Sequence, residues 1–352
     1  MQKSYFLGAS GPDGFHTDFI YEYASYYGVL LKGGPGTGKS TLMKKVVEAF
    51  KDEDISIYHC ASDPHSLDAV VLEERGVYVM DATAPHVSET PLPFVTGEVV
   101  NLASELYDKM IDCNEVRRLY EENRNKHIMA QKGVSGISAA EEMIVRIGQN
   151  ALLTDKINQF AERFAKKFIH SDGGHSCSFR SRQMSAITPE GEITLFPPEW
   201  RRIEIVDPYF AASQFLLKKT AGYAAENGAC CEIGYSLIQH DHPITSLLLQ
   251  SEKTGMFSVQ DNRISSDSLP VQIINTGRFY DRSLLRNHRS MLRFCIKERK
   301  EFAEKATEIL AEALQIHDRL EAQYIAAQNT DYLAKITDYV LSRLRSFPHV
   351  IA

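Results

Sequence analysis

The sequence predicts an α/β fold: a parallel β-sheet with helices on both faces, built twice along one chain, with a helical hairpin in each half. Three observations predict it. Short apolar runs of the kind found in buried parallel strands alternate with stretches of helical period. A glycine-rich turn joins the first of these strands directly to the first helix. Three segments of the first half recur, in the same order and at nearly constant spacing, in the second.

Residues 1–27 hold short apolar runs broken by the turn signal Gly11-Pro12-Asp13-Gly14. Gly28-Val29-Leu30-Leu31-Lys32 reads as the first buried strand. It runs into Gly33-Gly34-Pro35-Gly36-Thr37-Gly38-Lys39-Ser40-Thr41, and Leu42, Met43, Val46, Val47 and Phe50 then follow at helical spacing. Ile55–Cys60 alternates as a second strand, and Gly76–Asp81 reads as a further buried strand that ends on a carboxylate. From about Val100 the pattern turns helical, over 100–131 and 138–170, with Gly133-Val134-Ser135-Gly136 as a breaker between two arms of a hairpin. Ile157, Phe160, Phe164 and Phe168 make one apolar stripe there. Ser171–Ser176 reads as a linker, dividing the chain into domains 1–175 (hairpin about 100–170) and 176–352 (hairpin about 292–345).

The repeat supports that division. Gly11–Gly14 matches Thr188-Pro189-Glu190-Gly191, and Leu42-Met43-Lys44-Lys45 matches Leu216-Leu217-Lys218-Lys219. The strand ending in Asp81 matches Met256–Asp261. In the second half, Phe302, Ala306, Ile309, Ala313, Ile316, Leu320 and Tyr324 form one face of a long helix, broken at Asn329-Thr330-Asp331.

Composition narrows the functional classes. With 352 residues and 43% apolar side chains, each half can bury a core. A formal charge of −7 argues against general nucleic-acid or membrane-surface binding. The six cysteines (Cys60, Cys113, Cys177, Cys230, Cys231, Cys295) form neither a C-x-x-C pair nor a zinc spacing, and are expected to be reduced thiols. No run nears the ~18 apolar residues of a membrane span, and the N-terminus lacks a signal-peptide core, so a cytoplasmic protein is expected.

The chemistry is concentrated in the glycine loop. Gly33, Gly38, Lys39 and Ser40 meet the pattern G-x-x-x-x-G-K-[S/T] between a buried strand and an amphipathic helix. Glycines let successive backbone N–H groups face an anion, and the positive end of the following helix points at the same place. Residues Gly33, Gly34, Pro35, Gly36, Thr37, Gly38, Lys39, Ser40 and Thr41 are thereby predicted to cradle a triphosphate. Lys39 supplies the charge for the β- and γ-phosphates, and Ser40 offers a hydroxyl to Mg²⁺. Asp81, at the carboxyl end of its strand, is the predicted second carboxylate on the magnesium side. Ala82 follows it, where motor-type ATPases place a water-activating glutamate. Asp63, and after it Asp68, are candidate proton acceptors for a phosphoryl-transfer acceptor, against plain roles in a turn or short helix. His86 reads as a hydrogen-bonded loop histidine. Asn125-Lys126-His127-Ile128 fails a guanine-reading Asn-Lys-x-Asp motif at its last position, which leaves ATP with Mg²⁺ as the expected ligand.

Across the repeat, Gly33–Ser40 falls on Asp207-Pro208-Tyr209-Phe210-Ala211-Ala212-Ser213-Gln214. Both essential glycines are gone, Ser213 replaces Lys39, and Asp207 brings a negative charge. The second half is therefore expected to act as a partner of the first in an intramolecular pseudo-dimer. Arg282, Arg286 and Arg289 form a basic cluster, readable as an arginine finger or as a solvated helix face.

Leu31–Lys45, His59-Cys60-Ala61-Ser62-Asp63-Pro64, Ser66-Leu67-Asp68, Val79–His86 and Ala311–Asp318 together resemble an uncharacterised, mostly Firmicute family of bacterial proteins described as P-loop ATPases. The resemblance implies two tandem P-loop NTPase units, of which the second loop is degenerate here, and it carries no assigned reaction. Three functions follow as expectations. The first is an ATPase whose binding or slow hydrolysis changes the contact between the halves or with a protein partner. The second is a kinase for a small-molecule or nucleotide acceptor, with Asp63 as base and Arg117, Arg118 and Arg124 on a lid. The third is a nucleotide-binding scaffold without turnover.

Overall fold

The computed structural model describes residues 2–107, 110–169, 179–260 and 271–349. The first half contributes β1 (Gln2–Phe6), the hairpin β2 (Ala9–Gly11) and β3 (Gly14–His16), and the short helix α1 (Phe19–Glu22). Then come β4 (Tyr27–Lys32), α2 (Lys39–Ala49), β5 (Ile55–His59), β6 (Leu67–Leu72), β7 (Val77–Asp81) and β8 (Gly97–Asn101). Six of these strands form one sheet in the order β1-β5-β6-β7-β4-β8.

The sheet is mixed rather than parallel. β6 runs antiparallel to both β5 and β7, while the other pairings are parallel. Its connections on both sides are short loops, too short for the crossover of a dozen or more residues that parallel neighbours need. β6 is not among the strands that the sequence pattern marks. Leu67-Asp68-Ala69-Val70-Val71-Leu72 is buried throughout and so lacks the alternation that marks a half-exposed strand.

Two helices follow, α3 (Cys113–Ala151) and α4 (Thr154–Phe168). The second half then supplies β9 (Phe179–Ser181), the hairpin β10 (Ser185–Thr188) and β11 (Gly191–Thr194), β12 (Arg201–Val206) and α5 (Ala211–Glu226). It continues through β13 (Cys231–Tyr235), β14 (Ile244–Leu249), β15 (Thr254–Val259), β16 (Val271–Asn275), α6 (Arg282–Asn287), α7 (Arg289–Ala326) and α8 (Thr330–Arg345). Its sheet, β9-β13-β14-β15-β12-β16, repeats the order of the first, with β14 as the strand antiparallel to both neighbours. Even the irregularity recurs: the β5–β6 register shifts between Tyr58 and His59, and the β13–β14 register between Gly234 and Tyr235.

The expected break at Gly133–Gly136 does not occur, and α3 runs through it. These glycines mark a close helix crossing instead. A β-carbon at Gly136 would lie 2.7 Å from the Phe302 ring, and one at Gly133 would lie 3.1 Å from Ala306. α3 therefore pairs along its length with α7 of the other half. Leu119 packs with Ile316 and Leu320, and Ile144 and Ile147 pack with Leu292 and Cys295, so the two helices are antiparallel. Asp112 caps α3 by accepting from the N–H groups of Asn114 and Glu115.

The last helices are exchanged. Phe164 and Phe168 of α4 pack on the second sheet with Ile203, Ile205 and α5. Val340 and Leu344 of α8 pack on the first sheet with Val29, Leu31 and α2. The apolar stripes were legible in sequence, but they do not close a hairpin within each half. The opposite sheet faces meet in one core that holds Leu30, Tyr58, Val71 and Met80 of the first sheet with Leu248 and Phe257 of the second. Helices thus cover the outer face of each sheet, and the expectation of helices on both faces is corrected accordingly.

Cys230 is disulfide-bonded, against the expectation of six reduced thiols. Cys60, Cys113, Cys231 and Cys295 are free. The linker Ser171–Ser176, Cys177 and Asp261 lie outside the described residues. Among the described residues no helix is long and apolar enough to cross a membrane.

Candidate functional site

β4 is buried over most of its length and ends at the loop that α2 leaves. Gly36, at φ +69°, holds the turn in a conformation that side chains with a β-carbon rarely adopt. Thr37 is buried and closes the turn from within, its hydroxyl donating to the Gly34 carbonyl at 2.8 Å. No side chain caps the first turn of α2, which begins at Lys39 behind Gly38. That leaves first-turn N–H groups for an anion.

Lys39 and Asp81 meet at the ends of β4 and β7, and Ser40 follows Lys39 on the first turn of α2. Lys39 Nζ donates to the carbonyls of Gly33 and Gly34, each at 2.7 Å, and lies 3.5 Å from Asp81 Oδ2. Asp81 Oδ1 is steadied by the Thr83 N–H at 2.9 Å and the Thr83 hydroxyl at 2.5 Å. Ser40 Oγ accepts from the Leu67 N–H at 3.0 Å, which ties the loop to β6. A mobile cation, a hydroxyl and a carboxylate thus converge on a glycine loop, an arrangement able to hold a phosphate with a divalent cation.

Asp63 has both carboxylate oxygens engaged in its own turn. They accept from the His65 N–H at 3.2 Å and the Ser66 hydroxyl at 2.5 Å. Asp68 sits at the bulge of β6 and pairs with His86, Nε2 to Oδ2 at 3.2 Å, with both side chains buried. His86 Nδ1 is buried with no hydrogen-bond partner among the described residues, beside the Phe15 ring. Burial, and then Asp68, push the neighbouring Cys60 thiol well up, and burial lowers His59. Both therefore stay neutral near pH 7.

Sequence reasoning missed the residues that cover the loop from the other half. Glu321, near the end of α7, accepts from the Gly36 N–H at 3.0 Å, and Gln328 donates to the Gly36 carbonyl. The Tyr324 ring lies against Gly34, and Leu333 of α8 against Gly38. These residues are about 290 positions from the loop and carry no local signal. Only the pseudo-dimer expectation pointed toward them.

The second loop is closed by its own first residue. Asp207 is fully buried and accepts from the N–H groups of Tyr209 (3.1 Å) and Ser213 (2.8 Å) and from the Tyr280 hydroxyl. A carboxylate thus occupies the place where an anion would sit, a closure that goes beyond the negative charge expected from the sequence. Sheet register corrects one alignment: Leu31 pairs with Asp81 and Ile205 with Ser258, so Ser258, rather than Asp261, stands at the position of Asp81.

The arginine-finger reading of Arg282, Arg286 and Arg289 fails on position. They lie on α6 and at the start of α7, near the second loop, where Leu285 packs with Ala211 and Ala212. Arg289 is separated from Glu321 by roughly 48 Å of helix at 1.5 Å per residue. Arg118 and Arg124 are ion-paired along α3 with Glu115, Glu122 and Glu121, and Arg117 is exposed. The chain matches no protein-family model, no curated protein and no solved structure.

Proposed function

We propose that the first half binds MgATP in a P-loop NTPase unit. On this reading the protein hydrolyses ATP slowly and couples nucleotide occupancy to the contact between its halves. The observation that carries the reading is the convergence of Lys39, Ser40 and Asp81 on the loop Gly33–Thr41, whose Gly36 N–H already holds a carboxylate. An amide that takes a carboxylate oxygen can take a phosphate oxygen in its place. Slow turnover fits the chemistry around Asp81: Ala82 follows it, and the Asp63 carboxylate is engaged in its own turn. The resemblance to the tandem family supports the same reading, with the second unit degenerate and serving as the fixed partner.

The test is to follow phosphate release and ADP formation from MgATP, alone and with a panel of small-molecule acceptors, in wild type and Lys39→Ala. ADP with matching phosphate, lost in Lys39→Ala while the fold is retained, supports the ATPase. ADP without phosphate in the presence of one acceptor identifies a kinase. Nucleotide affinity unchanged by Lys39→Ala overturns the site.

A further inference from the structure

We infer that Glu321 is a displaceable stopper for the glycine loop, supplied by the second half, so that nucleotide phosphates and the α7–α8 corner compete for the Gly36 amide. The inference rests on the reading of Gly33–Thr41 as the nucleotide site and adds how that site is regulated. One N–H lies at the centre of the argument. Gly36 donates it to Glu321 Oε1 at 3.0 Å, and a phosphate group seated in the loop needs the same donor. Two anions cannot share it, and their mutual repulsion in a partly desolvated site adds to the competition. A ligand-bound loop therefore requires Glu321 to leave.

The stopper is carried by a structural unit. Gln328 holds the Gly36 carbonyl, Tyr324 lies on Gly34 and Leu333 on Gly38, so the end of α7, the turn and the start of α8 all rest on the loop. The same turn is tied to the first half elsewhere, through the Tyr107 N–H on the Ala327 carbonyl at 2.8 Å and Asn329 on Glu105 at 3.3 Å. Moving Glu321 disturbs this corner, and the corner leads directly into α8, which forms part of the outer core of the first sheet. Nucleotide occupancy is thereby linked to the seating of helices that belong, by sequence, to the second half.

The two loops differ in how their carboxylates are held. Asp207 is fully buried, and two N–H groups of its own loop together with the Tyr280 hydroxyl fix it. Glu321 is half-buried, comes from another element and takes a single loop N–H. The first is a permanent filling; the second is removable.

The test measures Mg²⁺-dependent binding of a fluorescent N-methylanthraniloyl ATP to wild type, Glu321→Gln, Gln328→Ala and Lys39→Ala. Hydrogen exchange over residues 321–333 is recorded with and without MgATP, and thermal melting confirms each fold. Glu321→Gln keeps the shape but removes the charge and weakens the competing hydrogen bond, so it should bind about tenfold more tightly. Gln328→Ala should bind several-fold more tightly, and MgATP should raise exchange over the corner in wild type. If Lys39→Ala abolishes binding but neither substitution tightens it and exchange is unchanged, the stopper is overturned and the nucleotide site stands. If no folded variant binds MgATP, the nucleotide reading falls and the stopper falls with it.

Discussion

In the second sheet, the Ser258 hydroxyl donates to Ser213 Oγ at 2.7 Å. The pair stands where Lys39 and Asp81 meet in the first, so the contact between the head of the helix and the end of the strand is kept while its charges are absent. The bulge of β6 carries Asp68, and the matching bulge of β14 carries Thr245. Elsewhere the halves agree in kind. Leu42 and Met43 are buried under the first sheet as Leu216 and Leu217 are under the second. Asn101 and Asn275 make the same turn after the edge strands, each accepting from an N–H two residues on at 2.9 Å. One chain thus contains its own control. Positions that agree serve the fold, and Lys39, Asp81 and Asp68 of the first half stand where the second half has Ser213, Ser258 and Thr245.

The first prediction concerns the filled loop. Asp207→Asn places an amide donor against one of the two N–H groups, Tyr209 on Oδ1 or Ser213 on Oδ2, in a buried site. Hydrogen bonds to a buried charge contribute roughly 1.5–3 kcal/mol, and a stranded donor adds to the loss. The substitution should cost about 3 kcal/mol in urea unfolding and leave MgATP binding by the first loop unchanged. A loss below about 1 kcal/mol would show that the carboxylate is not the element closing this loop.

Much of this architecture could be read locally, and the remainder could not for a physical reason. β4, the glycine loop, β5 and β7 lie where their apolar runs placed them, because a buried strand next to a glycine turn is a local signal. β6 was hidden because both its faces are buried. The stripe Ile157, Phe160, Phe164, Phe168 shows that α4 has an apolar face, but nothing in it says which sheet the face covers. The exchange of α4 and α8, and the arrival of Glu321 at Gly36, depend on surfaces far apart in the chain. Gly133 and Gly136 misled for a related reason: a glycine that breaks a helix and one that admits a neighbouring helix look alike until the neighbour is known.

The second prediction tests that crossing. A β-carbon at Gly136 meets ring atoms of Phe302 at 2.7–2.8 Å. Overpacking of this kind costs about 1–3 kcal/mol, offset in part by roughly 1 kcal/mol of helix propensity gained on replacing glycine with alanine. Gly136→Ala should therefore destabilise by up to about 2 kcal/mol in wild type, yet stabilise a Phe302→Ala background, where the ring is absent. Equal effects in the two backgrounds, in a double-mutant cycle of chemical denaturation, would exclude the close contact.

The third prediction is a pH dependence located between the halves. Arg182, with a fully buried side chain, has Glu22, Glu73 and Glu232 around it. Glu73 also accepts from Ser56, Tyr23 and Arg180, and Glu232 from Tyr5, Lys3 and Gln250. Among the described residues the Glu22 carboxylate meets Arg182 without comparable support. Burial pushes the Glu22 carboxyl up to about 7 from its ordinary 4.5, with Arg182 and Arg180 pulling down and Glu73 adding to the rise. The folded state then holds a proton that the unfolded chain releases. Its contribution is full below pH ~4.5 and is lost as pH rises through about 7, by about 3 kcal/mol at most. Glu22→Gln should remove this slope, so its stability relative to wild type should rise by that order between pH 5 and 8. Parallel stability curves for the two proteins would show that Glu22 is ionised throughout.

The last prediction concerns Asp68. The bulge turns its side chain out of the regular alternation of β6. There it meets His86, which follows Asp81 by five residues in the same loop. His86 Nε2 faces the Asp68 carboxylate, and its Nδ1 is buried without a partner among the described residues. The pair joins the start of β6, whose Leu67 N–H holds Ser40, to the loop that holds Asp81. On the proposed reading it positions both magnesium-side groups at once. Asp68→Asn weakens the pairing without changing its size, and should lower turnover of MgATP at least tenfold with KM within about threefold of wild type. Thr245→Val, at the matching bulge, should leave turnover unchanged. If Asp68→Asn raises KM with kcat intact, the pair contributes only to binding. If both substitutions act alike, the bulge serves the fold in both halves, and the charge at Asp68 has no separate role.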